Sequence, residues 1–264
     1  MPAVQLRFVH LSDTHISADP TYNYESLPVT PAVGARRLVE AVNALPFRPD
    51  FILHTGDVAA DPNEADYVLA REIFAPLRAP IYYLPGNHDG TALLQRVMLG
   101  RAPTTPYDYE FEVKGVQILC IDSNQPVDAD MPYSRLHDSQ LEWLLARFTA
   151  DDPRPLVVAT HHNVLPVASP WLDDYMRMQN GEAFHRALLP ARHRLLGVLH
   201  GHIHQNIQIV RDGIVYLSAA SSWYQLDSYS GQTETVHAPT AQPGFNVVTI
   251  TDTPQMFVRQ YAYG

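Results

Sequence analysis

The chain has 264 residues, 46% hydrophobic and 17% charged, enough apolar material for one large domain or two small ones, and residues 1–264 read as a single domain. A formal net charge of -10 without any Lys/Arg-rich run argues against polymeric nucleic acid as a partner. No segment approaches the ~20 apolar residues that span a bilayer, and MPAVQLRFVHLSD shows no basic region with a cleavage site, so a cytoplasmic protein without membrane contact is expected.

Short apolar runs, bounded by polar or Gly/Pro breaks, recur along the chain and predict strands. The first, 6–11, ends in Asp13 and His15. A loop-like stretch, 17–34, carries Tyr22, Asn23 and Tyr24, and leads into a helical pattern at 35–45 with Leu38, Val42 and Leu45 on one face. The run 51–54 ends in TGD at Asp57, and a second helical pattern covers 66–74. The run 81–84 ends in PGNHDG, with Asn87 and His88. The run 116–121 contains Cys120, the one cysteine, which cannot form an internal disulfide and reads as a small core residue. A helical pattern at 139–148 precedes the run 156–159, which ends in His161 and His162. The stretch 163–181 reads as a second long loop, with Trp171, Tyr175 and Asn180. The run 195–199 ends in His200, His202 and His204, and a third loop-like stretch, 221–244, holds Trp223 and Tyr224. The aromatic residues of these loops argue against disorder. Strands alternating with helical segments indicate a layered α/β fold.

Taken singly, each strand ending has an ordinary explanation: Asp-x-His and GD occur in turns, and GHxH could form a surface cluster or a single structural zinc site. Five such endings are poorly explained by turn chemistry. In an open α/β sheet the carboxyl ends of the strands line the ligand crevice, so these residues should converge. Asp13 and His15 are two positions apart, as are His202 and His204, which places each pair on one side of extended chain. Asp13, His15, Asp57, Asn87, one of His161 and His162, His202 and His204 are too many for one tetrahedral ion. They suit two divalent ions sharing a carboxylate, and oxygen and nitrogen donors without thiolate point to Mn, Fe, Zn or Co.

The pieces LSDTH, TGD, GNHD, THH and HGHIH, in this order between residues 13 and 204, resemble the calcineurin-like metallophosphoesterase superfamily, whose pattern is D-x-H, GD, GNH[DE], a strand-terminal His and GHxH. The resemblance implies a four-layer α/β/β/α sandwich of two mixed sheets flanked by helices, with a dinuclear centre in its cleft. By motif, one ion would take Asp13, His15 and His204 and the other Asn87, His161 and His202, with Asp57 bridging. Family members often have H-x-P or HHPP where this chain has HHNVLP, so His162 stays beside His161 as a candidate. WLDDYMRMQN at 171–180, SRLHDSQLEWL and Pro243-Gly244-Phe245 resemble the bacterial class III cyclic-nucleotide phosphodiesterases.

That resemblance implies a phosphodiesterase for small diesters, 3',5'-cyclic nucleotides such as cyclic AMP first, attacking in line with a hydroxide held between the ions. His88, next to Asn87, is the candidate to bond the phosphoryl group or protonate the leaving alkoxide, with Asp61 as a weak candidate to orient it. Substrate-binding candidates are Asn87, His88, Tyr22, Asn23, Trp171 and Asn180, with Trp223 in the third loop. The alternative is a glycerophosphodiesterase or a broad phosphomonoesterase/diesterase on the same centre. A non-catalytic scaffold is disfavoured because every motif position is filled. Residues 221–264 are expected to cap the cleft or to contact a second copy in a homodimer.

Overall fold

The computed structural model describes residues 2–24, 27–124, 133–149, 151–227, 229–234, 236–238 and 240–264. In chain order its elements are β1 (Val4–Leu11), α1 (Pro31–Asn43), β2 (Ile52–His54), α2 (Glu64–Phe74), β3 (Ile81–Tyr83), α3 (Thr91–Met98), β4 (Tyr109–Val113) and β5 (Val116–Cys120). There follow α4 (Asp138–Leu145), β6 (Leu156–Ala159), α5 (Pro170–Tyr175), α6 (Gly181–Leu188), β7 (Leu195–His200), β8 (Gln208–Arg211), β9 (Ile214–Ser218), β10 (Leu226–Asp227), β11 (Val236–His237), β12 (Gly244–Thr251) and β13 (Met256–Ala262).

One sheet has the order β13-β12-β1-β2-β3 and the other β4-β5-β6-β7-β9-β8. The strands β1, β2 and β3 are parallel, as are β5, β6, β7 and β9, while β12, β13, β4 and β8 pair antiparallel. Side chains alternate between faces along each strand. Leu6, Phe8 and Leu53 of the first sheet therefore meet Ile118, Cys120, Val157 and Ala159 of the second in one buried cluster between the sheets. The alternate residues Val9, Leu11 and Ile52 face Leu38 and Val42 of α1. On the far side, Leu119, Leu156 and Val158 pack against Leu144 of α4 and Phe184 and Leu188 of α6. The result is the α/β/β/α sandwich that the motifs imply. Cys120 lies in the inter-sheet layer, where burial pushes its thiol up to about 12, so it packs as a hydrophobe.

The runs at 6–11, 51–54, 81–84, 116–121, 156–159 and 195–199 all coincide with strands, with Phe51, Leu84 and Ile121 one residue outside theirs. Helix α1 begins four residues before the expected start, because Pro31 has no amide hydrogen to lose at a first turn and presets the helical φ. Helix α2 begins behind Asn63, whose side chain accepts from the Asp66 amide. Two loop expectations need correction: 163–181 contains α5, started by Pro170, and 221–244 contains the short antiparallel pair β10 and β11. The last part of 221–264 forms β12 and β13, with β12 pairing β1 inside the first sheet. Among the described residues, no helix is long and apolar enough to cross a membrane.

Candidate metal centre

The parallel strands deliver their carboxyl ends to one edge of the sandwich, and there the expected ligands meet. Asp13, His15, Asp57 and His204 present ligand atoms within 4.8 Å of one another, and Asp57, His161 and His202 form a second such group, all buried. Asp57 belongs to both. In the first group, His15 Nε2 stands 3.0 Å from His204 Nε2 and 3.5 Å from Asp57 Oδ2, and His204 Nε2 lies 3.4 Å from Asp13 Oδ1. In the second, His161 Nε2 lies 3.1 Å from Asn87 Oδ1, 3.1 Å from His202 Nδ1 and 3.4 Å from Asp57 Oδ2.

The partners of the opposite ring nitrogens fix the tautomers. His161 Nδ1 donates to the Thr55 carbonyl, His202 Nε2 to the Met176 carbonyl and His204 Nδ1 to the Tyr224 carbonyl. In the neutral rings the inward nitrogens of His161, His202 and His204 therefore carry lone pairs, and they meet carboxylate and amide oxygens, which also only accept. Such a set of acceptors suits a pair of cations. Burial holds His15 and His202 well below the usual histidine range, so both rings are neutral and ready to ligate. Burial works against a charged His161, but the Asp57 carboxylate outweighs it and raises this ring to about 9. Burial opposes ionisation of Asp57 as well, and His161, His88 and His15 outweigh it, holding the carboxyl well below its usual range.

Backbone geometry at the centre is strained. Asp13, His15, Asp57, His202 and His204 have φ of 56°, 45°, 53°, 72° and 47°, a left-handed conformation that costs a non-glycine residue about 1–2 kcal/mol. Interlocked loops hold it: Asp13 N donates to the Gly56 carbonyl, and Thr14 N and His15 N both donate to the Asp57 carbonyl. Gly56, at φ 106°, must be glycine on two counts, since a Cβ there would lie 2.5 Å from His161 Nδ1. At Gly86 a Cβ would run into the carboxylate and amide of Asp57.

Several residues that motif reasoning left without a role hold this arrangement in place. The Asp89 carboxylate accepts from the amides of Val58, Ala59 and Gly86 and from the Tyr67 hydroxyl, pinning the loop of Asp57 to that of Asn87. Burial and the nearby Asp57 still push it up to about 6. Ser123 Oγ accepts from the amides of His161 and His162 and pairs with His162 Nδ1. The structure thereby separates the two histidines: His161 points to Asp57 and Asn87, and His162 turns to Ser123. Ser221 Oγ donates to the Asp13 carbonyl. Asp89 was visible as the fourth letter of GNHD, whereas Ser123 and Ser221 had no sequence signal.

His88 stands beside the ligands, with its ring against His15 at 4.7 Å. Its amide donates to Asp57 Oδ1, and its Nδ1 bonds the Ala60 carbonyl at 2.9 Å. That carbonyl, in place of Asp61, orients the ring; Asp61 itself is exposed. Burial pulls the His88 pKa down, but Asp57 and the Ala60 carbonyl outweigh it, and the net shift is upward.

A cleft of about 260 Å³ opens over the ligands. Tyr24, Tyr224, His237, Trp171, Met176 and Leu226 line it, with the Tyr224 ring against His204, the Leu226 amide on the His204 carbonyl and the Met176 carbonyl on His202. Of the substrate candidates, Asn87, His88 and Trp171 reach the cleft. Asn180 does not: its amide is used at both ends by the backbone of Leu136. Asn23 is likewise committed, accepting from Trp223 Nε1 and donating to the Leu27 carbonyl, and Tyr22 packs on Trp223 outside the lining. Trp223 is buried beneath Tyr24. A larger groove of about 440 Å³ between Gln208 and Gln260 has no carboxylate, imidazole or thiol among its described lining residues.

The sequence pattern of the calcineurin-like phosphoesterases matches residues 6–206. The chain belongs to this family. Similar proteins include the 3',5'-cyclic adenosine monophosphate phosphodiesterase CpdA of Vibrio vulnificus, 27% identical over 245 residues covering 93% of this chain and 85% of that one. The protein of the same name from Pseudomonas aeruginosa is 31% identical over 217 residues, covering 82% and 76%. Among solved structures, a dimetal phosphatase from Danio rerio superposes with a TM-score of 0.66 at 13% identity, covering 98% of this chain and 100% of that one. A purple acid phosphatase from yellow lupin gives 0.70 at 13%, covering 99% and 52%. At such identities these two likenesses concern the fold alone. The family and the two ligand groups together support a dinuclear divalent-metal centre.

Proposed function

We propose that this protein is a dinuclear-metal-dependent phosphodiesterase acting on small phosphodiesters, with 3',5'-cyclic nucleotides such as cyclic AMP as its first substrates. The observation that carries the reading is the pair of ligand groups sharing Asp57 at the base of a cleft sized for a small molecule. The relatives named as cyclic AMP phosphodiesterases over most of the chain favour the cyclic substrate. Asp13, His15 and His204 would hold one ion and Asn87, His161 and His202 the other, with Asp57 between them. Oxygen and nitrogen donors without thiolate suit Mn, Fe, Zn or Co. When bound, such ions would supply positive charge for the phosphoryl oxygens and lower the pKa of bound water.

The chain's own residues do the rest. Asp57 positions His88 through its amide, and the Ala60 carbonyl fixes the ring by Nδ1. In the doubly protonated ring, the form that Asp57 and the Ala60 carbonyl favour, Nε2 carries a second proton into the cleft and hands it to the departing alkoxide oxygen as the ester bond breaks, leaving the ring neutral. Asp89 keeps the two loops in register, so that the proton donor and the ligands share one frame. The test is turnover of cyclic AMP, glycerophosphoethanolamine and bis(p-nitrophenyl) phosphate by protein reconstituted with Mn²⁺ or Fe²⁺. The highest kcat/KM on cyclic AMP supports the reading, and absence of diester hydrolysis on all three ends it.

A further inference from the structure

Three rings stand over the ligand group of His15 and His204 without being needed to hold it. Tyr224 packs against His204 with centroids 4.3 Å apart, Tyr24 meets Tyr224 edge-on at 5.4 Å and 84°, and His237 lies 5.0 Å from Tyr24 and 4.8 Å from Tyr224. All three line the cleft. Tyr24 is 40% exposed although it is stacked on Trp223 at 5.0 Å. Sealing of the loops is done by Trp223 instead: it is buried, and its Nε1 donates to Asn23 Oδ1 and the Val29 carbonyl.

We propose that Tyr24, Tyr224 and His237 form the seat of a nucleobase, so that this cleft selects phosphoesters whose alcohol carries a flat aromatic heterocycle. The assignment rests on the phosphodiesterase reading above. An exposed face stacks on a base whatever its sequence of donors and acceptors, because every base has a π-face. The seat is assembled in advance. Trp223 ties the loop of Tyr24 to the segment of Tyr224, and the Tyr224 carbonyl is held by His204 Nδ1, so the rings keep a fixed distance from the ligand that would face the phosphate. An aromatic cage also suits a quaternary ammonium group. Here, however, the only carboxylate among the described lining residues is Asp57, which belongs to the metal ligands, so a cationic headgroup has nothing to pair with.

The test is calorimetric binding of three products to the Mn²⁺-loaded protein, which requires no turnover: 5'-AMP, ribose 5-phosphate and phosphocholine. 5'-AMP should bind about 10- to 100-fold more tightly than ribose 5-phosphate. Tyr24→Leu, at an exposed position, should cut that preference about tenfold, leave ribose 5-phosphate binding and metal content unchanged, and Tyr224→Leu should cut it further. Equal binding of 5'-AMP and ribose 5-phosphate, tightest binding of phosphocholine, or an unchanged preference in both variants would overturn the base seat while leaving the diesterase reading intact. If none of the three binds, the phosphoester site itself is wrong, and the seat falls with it.

Discussion

His161 Nε2 and His202 Nδ1 face each other at 3.1 Å, each ring having committed its other nitrogen to a backbone carbonyl, that of Thr55 or Met176. When both rings are neutral, as ligation requires, these two lone pairs repel unless positive charge lies between them. Chelation should therefore lower the melting temperature, because each ion bound only by the folded state adds about 2.7 kcal/mol at a hundredfold excess over its dissociation constant. Scanning calorimetry with and without EDTA, on protein shown to carry two ions per chain, checks this; an unmoved transition would contradict it.

His202→Ala removes a ligand from one group only. Metal content should fall from two ions to about one, whereas Asp57→Ala, which removes the shared carboxylate, should weaken both. Loss of activity in either variant should exceed the 10–100-fold typical of changes just outside a metal's ligands. Elemental analysis beside kcat separates the two variants.

His88→Ala should behave differently. The imidazole is oriented by Asp57 and Ala60 and stands beside the ligands, so kcat should drop about 10²–10⁴-fold while two ions stay bound. If the metal content falls in step with kcat, His88 is a structural or ligating residue and the proton-transfer role is wrong.

Asp89→Ala leaves three backbone amides and the Tyr67 hydroxyl facing an empty position. An unsatisfied buried donor costs about 1–3 kcal/mol, so urea unfolding should show a loss of about 3 kcal/mol or more. A loss below 1 kcal/mol would mean that the two loops do not depend on this carboxylate.

Asp122, two residues beyond β5, is pushed by burial up to about 7, although it accepts from the amides of Tyr107 and Asn124. A raised carboxyl pKa means that the folded state keeps a proton the unfolded chain gives up near pH 4. This residue's contribution is therefore fully present below pH 4, declines as pH rises toward about 7 and is constant above it. Three pH units correspond to about 4 kcal/mol at most. In Asp122→Asn this slope should vanish, so the stability difference between the two proteins should change between pH 4 and 7 and stay level beyond. A constant difference from pH 4 to 8 would refute the shift.

The legible parts of the sequence were those where one physical pattern dominates. Runs such as ILH in β2 or LVVA in β6 are buried on both faces and read as strands directly. The helices α3 and α6 and the strands β4, β8, β9, β12 and β13 went unread. Residues such as Gln208, Asn246 and Gln260 interrupt the apolar pattern of the strands; β8 and β13 are held extended by their hairpin neighbours β9 and β12, and β12 by β1 from the other end of the chain. Of the paired histidines the motif favoured His161 and kept His162 beside it; the Ser123 hydroxyl, 39 residues away in the chain, takes up the His162 ring and leaves His161 facing Asp57 and Asn87.

By itself the sequence determined which side chains are able to hold cations and at which strand ends they stand, because ligand chemistry resides in residue identity and strand endings are marked by local pattern. Tertiary structure alone decided which nitrogen of each imidazole faces inward, that Ala60 and not Asp61 orients His88, and that Tyr24, Tyr224 and His237 rather than Tyr22, Asn23 and Asn180 reach the cleft. Those outcomes depend on hydrogen bonds and ring contacts between segments as much as 200 residues apart, such as that from Trp223 to Asn23. No local pattern of residues encodes the distance between two such segments.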